Sequence, residues 1–229
     1  MVRFMHDHTG NFTTALDGVN TVELQQADND YAVGALIQRL AKSQYKDNTL
    51  VFVLEDDAQD GADHVDSHRS IFFVAGPYVK HGAVVSQRYT TVNVLRTIED
   101  ILGTDHLNIH TATQAPMTEL FDLSKKSWSF QAVASGYLEN TQLPIPPGAF
   151  ASTKSVPRST HNAVYWADKT KEFDFSVEDH LGNVDKFNRI VWQGLKGSAP
   201  YPEHRTGLDL RINRQQLLQR ASTSKSYAD

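Results

Sequence analysis

A chain of 229 residues, 40% hydrophobic and 21% charged, is long enough for one sizeable core, or one domain with an appendage, and has the balance of a soluble globular protein. The formal net charge of −5 gives no basic footprint for nucleic acid, no apolar run approaches the length that spans a bilayer, and no signal peptide opens the chain. Without cysteine, disulfides and thiolate metal sites are excluded.

In chain order, Val2 to Met5 reads as a short apolar strand running into His6-Asp7-His8-Thr9-Gly10, a polar cluster at a strand end. "ADNDYAVGALIQRLAKSQY" (Ala27 to Tyr45) predicts a helix with Tyr31, Leu36, Ile37 and Leu40 apolar and Asp28 or Asp30 as N-cap. "TLVFVL" (Thr49 to Leu54) is a β-branched and aromatic run, the signature of a strand covered on both faces. "SIFFVAGPYV" (Ser70 to Val79) predicts a second such strand, stopped by Gly76-Pro77. "GAVVSQRYTTVNVLRTIEDILG" supplies a short strand, a Thr cap and a helix from about Val92 to Leu102, closed by Gly103. "MTELFDL" predicts a last short edge element. Helices alternating with buried strands imply an α/β sandwich with a largely parallel sheet. From Ser124 the character changes. "LPIPPGAF" is a Pro-rich connection, and "NAVYWADKTKEFDFS" and "KFNRIVWQGLKG" predict two short helices docking through Tyr165, Trp166, Phe173, Phe187 and Trp192. Beyond Leu210 the chain is polar and helix-prone.

Between the two strands, Glu55, Asp56, Asp57, Asp60, Asp63 and Asp66 crowd beside His64 and His68. Carboxylates so close repel one another unless water or bound cations compensate them. A solvated acidic loop is one reading. The flanking strands favour the other, because ligands in open α/β sheets bind beyond the carboxyl ends of the strands. An EF-hand fails: Asp56, Asp60 and Gly61 fit its first, fifth and sixth positions, but Ala58 and Ser67 stand at the third and twelfth. Imidazoles among carboxylates suit zinc or iron better than calcium.

"VFVLEDDAQDGADHV" resembles the strand and metal loop of the alkaline phosphatase superfamily, especially its bacterial phosphoesterase branch of phospholipase C-like and acid phosphatase-like enzymes. Asp56-Asp57 and Asp63-His64-Val65 stand where that branch has an Asp-Glu pair and an Asp-His-Val, with Asp57 replacing the usual second ligand. His68 matches the His that completes the other metal centre. "HTGN" (His8 to Asn11) resembles the metal-binding His segment of cofactor-independent phosphoglycerate mutases, and "TTVNVLRTIEDILG" the helix that follows the last ligand in phosphoesterases and sulfatases. The resemblance covers roughly residues 2–123 and extends less diagnostically into the tail.

It implies an α/β fold, a mostly parallel sheet sandwiched by helices, with 1–123 the C-terminal half of a phosphoesterase catalytic domain. Residues 124–160 are then a Pro-rich connection and 161–229 an aromatic-containing helical tail packed on the core. The implied activity is metal-dependent hydrolysis of phosphoric esters at a dinuclear site. Asp56 and Asp57 would hold one metal; Asp7, His8 and His68 the other. His64 is a ligand or contacts the phosphate, with Asp63 supporting the ligands from behind or facing solvent. Arg69 contacts phosphoryl oxygens or pairs with the neighbouring acids. Zinc, manganese, iron and calcium all fit such donors. In the family the nucleophile lies upstream of the "HTGN"-type segment, so it is expected outside this chain, with the missing N-terminal half or a homodimer as partner. Full-length relatives are often exported. A noncatalytic metal-binding remnant or interaction module is the alternative, and among enzymes a sulfatase or phosphonate hydrolase.

Overall fold

The computed structural model describes residues 1–4, 9–10, 12, 14–55, 70–146, 149–150, 157–176 and 181–201. Its spine is helix α1 (Val22–Ala41). The expected start at Ala27 moves upstream because neither Asp28 nor Asp30 caps it: the Thr21 hydroxyl accepts the Leu24 N–H at 3.2 Å and pairs with Ser159 Oγ at 2.8 Å. The helix also stops short of Tyr45. Ser43 Oγ donates to the Leu40 carbonyl at 2.8 Å, and the chain turns into a 3-10 turn at Lys46–Asn48.

Successive stretches of α1 serve three clusters. Val22 joins Phe12 and Trp166. Leu24 and Ala27 meet Ala134 and Leu138, with Ile145, Ala149 and Phe150 of the Pro-rich connection packed alongside. Ile37 and Ala41 meet Trp128 and cover Val51, Val53 and Ala75. A helix touched on so many sides cannot carry a simple one-face stripe, so its apolar period is weak.

Strands β1 (Val51–Leu54) and β2 (Phe72–Ala75) form a small antiparallel sheet, Val51 opposite Ala75 and Leu54 opposite Phe72. The chain is therefore helical with a small sheet, but the described strand pair is antiparallel, where alternation of elements implied parallel pairing. Nor is either strand fully buried: Leu54 is 41% exposed and Phe73 62%, although Val51, Val53 and Ala75 pack on the α1–Trp128 layer.

Past β2, Gly76 is buried at φ 141°, where a Cβ would lie 2.7 Å from the Thr49 carbonyl oxygen. Val79 then makes an isolated antiparallel bridge with Phe121, and this single bridge after a 3-10 turn at Thr118–Leu120 stands where "MTELFDL" was expected as an edge element. The short strand expected around Val84 does not form: this residue is 92% exposed and follows a turn at Gly82. Val2–Phe4 likewise lie outside any strand, and Met5 lies outside the described residues.

Helix α2 (Thr91–Leu102) follows its sequence signals closely. The Thr90 N–H donates to Asn93 Oδ1 at 2.8 Å, and Gly103 ends the helix in the left-handed region at φ 66°. Its neighbour α3 (Ile109–Thr113), unexpected from the sequence, is capped by Asn108, which accepts the His110 and Thr111 N–H groups. Arg96 of α2 binds the two together: its Nη1 donates to the carbonyls of Thr111, Ala112 and Gln114 while its Nε reaches Asp100 at 2.9 Å.

The aromatic islands form α4 (Ala163–Thr170) and α5 (Val184–Lys196). Trp166 and Phe187 are fully buried, Phe173 is buried, and Tyr165 and Trp192 are half-buried. Trp166 stacks on Phe12 at 5.7 Å between ring centroids, tying the tail to the start of the chain. Residues beyond 201, including the stretch after Leu210, lie outside the described residues.

Candidate metal segments and their anchors

The sequence places its candidate ligands in two segments, and the structure describes what anchors each. Asp56, Asp57, Asp63, His64, His68 and Arg69, with Asp60 and Asp66, lie outside the described residues, as do Asp7 and His8. Among the described residues, no three His, Asp or Glu side chains gather in a way that would hold a metal ion.

The acidic segment 56–69 leaves from and returns to one end of the β1–β2 pair. Beyond the last strand pair, the Glu55 N–H donates to the Ile71 carbonyl at 3.3 Å, and Ser70 Oγ donates to the Glu55 carbonyl at 3.5 Å. The ladder thus runs to the residues next to Asp56 and Arg69. Strand pairing, rather than the loop itself, fixes the two ends of the segment.

The histidine segment has a different anchor. Two residues after His8, Gly10 is clamped by Gln25 of α1: the Gly10 N–H donates to Gln25 Oε1 at 3.1 Å, and Gln25 Nε2 donates to the Gly10 carbonyl at 2.8 Å. Gln26 Nε2 donates to the Thr9 hydroxyl beside it. On its other side Gly10 meets the Phe175 ring, where a Cβ would stand 2.7 Å from Cε1. A buried glutamine that satisfies both backbone polar groups of one residue is a strong local constraint. Nothing in the sequence singles it out, since Gln25 precedes the helix expected there.

Two hydrogen-bonded carboxylates lie elsewhere. Burial would raise the Glu99 carboxyl, but the Leu107 N–H at 3.0 Å, His106 Nδ1 at 2.9 Å and Thr111 outweigh it and hold the group below the usual carboxylate range. Tyr89 donates to Glu119; burial first, and this carboxylate second, push the phenol up to about 12. Neither cluster resembles a metal site. Glu99 ties α2 to the segment that follows it, and Tyr89 ties the chain just before α2 to the Thr118–Leu120 turn.

A further cleft, lined by Lys80, His81, Asp122 and Lys125, sits beyond the other end of β2. Hydrogen bonds from the Ser124 hydroxyl and N–H, with help from Lys125 and Lys80, keep the Asp122 carboxyl below its usual range. Compared with known proteins, the chain matches no family model, no curated protein and no solved structure.

Proposed function

We propose that this chain supplies ligands to a dinuclear metal site for the hydrolysis of phosphoric esters, in the manner of the bacterial phosphoesterase branch of the alkaline phosphatase superfamily. The observation that carries this reading is the neck of the acidic segment: the run beginning at Asp56 starts where β1 stops, and Glu55, Ser70 and Ile71 are hydrogen-bonded across its base. A carboxylate-rich segment held at both ends by strand pairing is what a metal loop needs, because ligands must be placed against their mutual repulsion before the cation arrives.

Asp56 and Asp57 would hold one metal, and Asp7, His8 and His68 the other, with Asp63 and His64 supporting them and Arg69 facing the phosphoryl oxygens. Zinc, manganese, iron or calcium bound there would supply Lewis-acid polarisation of the ester. The carboxylates screen closely spaced dications, and the imidazoles favour the softer ion. No segment of this sequence matches the family's nucleophile, which this reading assigns to an N-terminal partner half. Such a half, or a second copy of the chain, would cover the exposed Leu54, Ile71 and Phe73. The same reading extends the β1–β2 pair into a mostly parallel sheet sandwiched by helices.

The test is calorimetric titration of the purified chain with zinc and manganese, with Asp57→Asn and His68→Ala beside it. Saturable binding weakened about tenfold or more by either substitution supports the site, on the scale of removing one ligand or its support. Equal binding by all three proteins refutes it and leaves a solvated acidic loop.

A further inference from the structure

We propose that the cleft between the Tyr78–His81 turn and the Asp122–Lys125 turn binds the phosphate group of a small soluble molecule. This inference does not rest on the hydrolase reading, and its site lies beyond the opposite end of β2 from the acidic segment.

The cleft measures about 380 Å³ and is lined by Lys80, His81, Asp122 and Lys125, a size within the roughly 300–1,000 Å³ of small-molecule sites. Its walls are fixed by backbone pairing. The Tyr78 N–H donates to the Lys125 carbonyl at 2.7 Å, the Asp122 N–H to the Tyr78 carbonyl at 2.7 Å, and the Lys80 N–H to the Leu120 carbonyl at 2.9 Å, around the Val79–Phe121 bridge. Tyr78 stands in the left-handed region at φ 64°, the one described non-glycine residue to do so. An aromatic residue held there is strained, and such strain persists where the surroundings over-determine it, often at ligand clamps. Pro77 before it is fully buried, which fixes the approach of the turn.

The charge is left incomplete. Asp122 Oδ1 takes the Ser124 N–H at 3.0 Å and the Ser124 hydroxyl at 2.7 Å. Among the described residues, neither Lys80 nor Lys125 closes an ion pair. Two ammonium groups and an imidazole therefore line a concavity that holds one carboxylate, Asp122, itself already hydrogen-bonded, while the Glu119 carboxylate near Lys80 accepts from Tyr89. A phosphate group complements this set: its terminal oxygens accept from several cationic donors at once, and lysine serves as its point-charge partner. A larger polyanion such as nucleic acid is disfavoured by the chain's net charge of −5.

The experiment is a backbone NMR titration of the full chain with inorganic phosphate, in EDTA and at constant ionic strength, so that metal chemistry plays no part. Saturable shifts at Lys80–Gly82 and Asp122–Lys125 are expected. Lys80→Ala and Lys125→Ala should each weaken binding about tenfold, the scale of one charge-assisted hydrogen bond. Asp122→Asn should tighten it, a sign that misfolding cannot imitate, and Lys186→Ala, whose ammonium is already paired with Glu172, should leave it unchanged. Shifts reproduced by chloride, or phosphate binding indifferent to Lys80→Ala and Lys125→Ala, would overturn the site. Sedimentation with phosphatidic acid vesicles without any response to inorganic phosphate would overturn it too, assigning the lysines to a lipid surface.

Discussion

Gln25 and Gly10 exchange two hydrogen bonds, of 3.1 and 2.8 Å, so one buried side-chain amide completes one peptide's donor and its neighbour's acceptor requirements. Gln25 is only 2% exposed, so water cannot take over either role. Gln25→Leu is therefore expected to lower stability by about 1–3 kcal/mol, the cost of leaving buried polar groups unpaired. Gly10→Ala should also destabilise, because the Phe175 ring must move away from the new methyl. Urea unfolding followed by tryptophan fluorescence reads both. A Gln25→Leu midpoint equal to wild type would show that Gly10 finds other partners.

Gly194 of α5 packs directly on the Trp166 ring of α4. A Cβ at Gly194 would lie 2.3 Å from Trp166 Cη2, well inside contact distance. Gly194→Ala should cost about 1–3 kcal/mol through overpacking. Trp166→Ala should cost about 3–5 kcal/mol, since the ring is wholly buried against Phe12 and Val22. The pair should also couple. Phe lacks the Cη2 atom, and the Trp166 indole N–H has no hydrogen-bond partner among the described residues, so Trp166→Phe opens space without forfeiting a bond. The double variant should then be more stable than the sum of the single effects predicts. Strict additivity would show that the ring moves aside freely.

The places where sequence and structure part company have physical causes. Helix α2 was legible because its signals are local: a Thr90–Asn93 box at one end and a left-handed Gly103 at the other. The start of α1 was not, because Asp28 and Asp30 look like caps while Thr21 does the work, aided by Ser159 far along the chain. Its weak period reflects packing on Trp128, Leu138 and Trp166, which no window of α1 reveals. Strands β1 and β2 were found, but their antiparallel pairing depends on how the chain returns after Glu55. The anchors of the candidate site were the least visible. Gln25 acts on Gly10, and Phe175 presses on the same glycine from the tail.

Glu99 makes stability depend on pH. Its carboxyl is held below the unfolded value by the Leu107 N–H, His106 and Thr111 against the opposing effect of burial. The folded pKa is depressed, so this contribution is present above the unfolded pKa of 4.5 and is lost as pH falls through the lower folded value. Acid unfolding of the wild type should thus be steepened by Glu99, and Glu99→Gln should flatten the acid limb while lowering stability at neutral pH. Denaturant midpoints measured from pH 7 downward, a range defined by these shifts, decide it. Parallel curves for the two proteins would mean that Glu99 ionises alike in the folded and unfolded chain.

The proposed hydrolase chemistry carries an asymmetric expectation: this chain should bind metal weakly and turn over phosphate esters negligibly. The candidate ligands come from two segments, at Asp7–His8 and Asp56–His68, whereas the nucleophile of the resemblance has no match. The hydroxyls near the ligands are poor substitutes. Thr9 is buried and accepts from Gln26, and Ser70 donates to the Glu55 carbonyl at the base of the acidic segment. Without a covalent step, metal-assisted attack by water would be slower by orders of magnitude. Missing ligands lower affinity as well, since Asp56 and Asp57 then repel each other with partial compensation. The measurement is turnover of an aryl phosphate with zinc, manganese, iron or calcium added to the chain alone. Rates in the usual enzymatic range, about 1–1,000 per second, would place a nucleophile among the hydroxyls just dismissed. Thr9→Val and Ser70→Ala would then identify it, while Asp57→Asn and His68→Ala should still abolish activity.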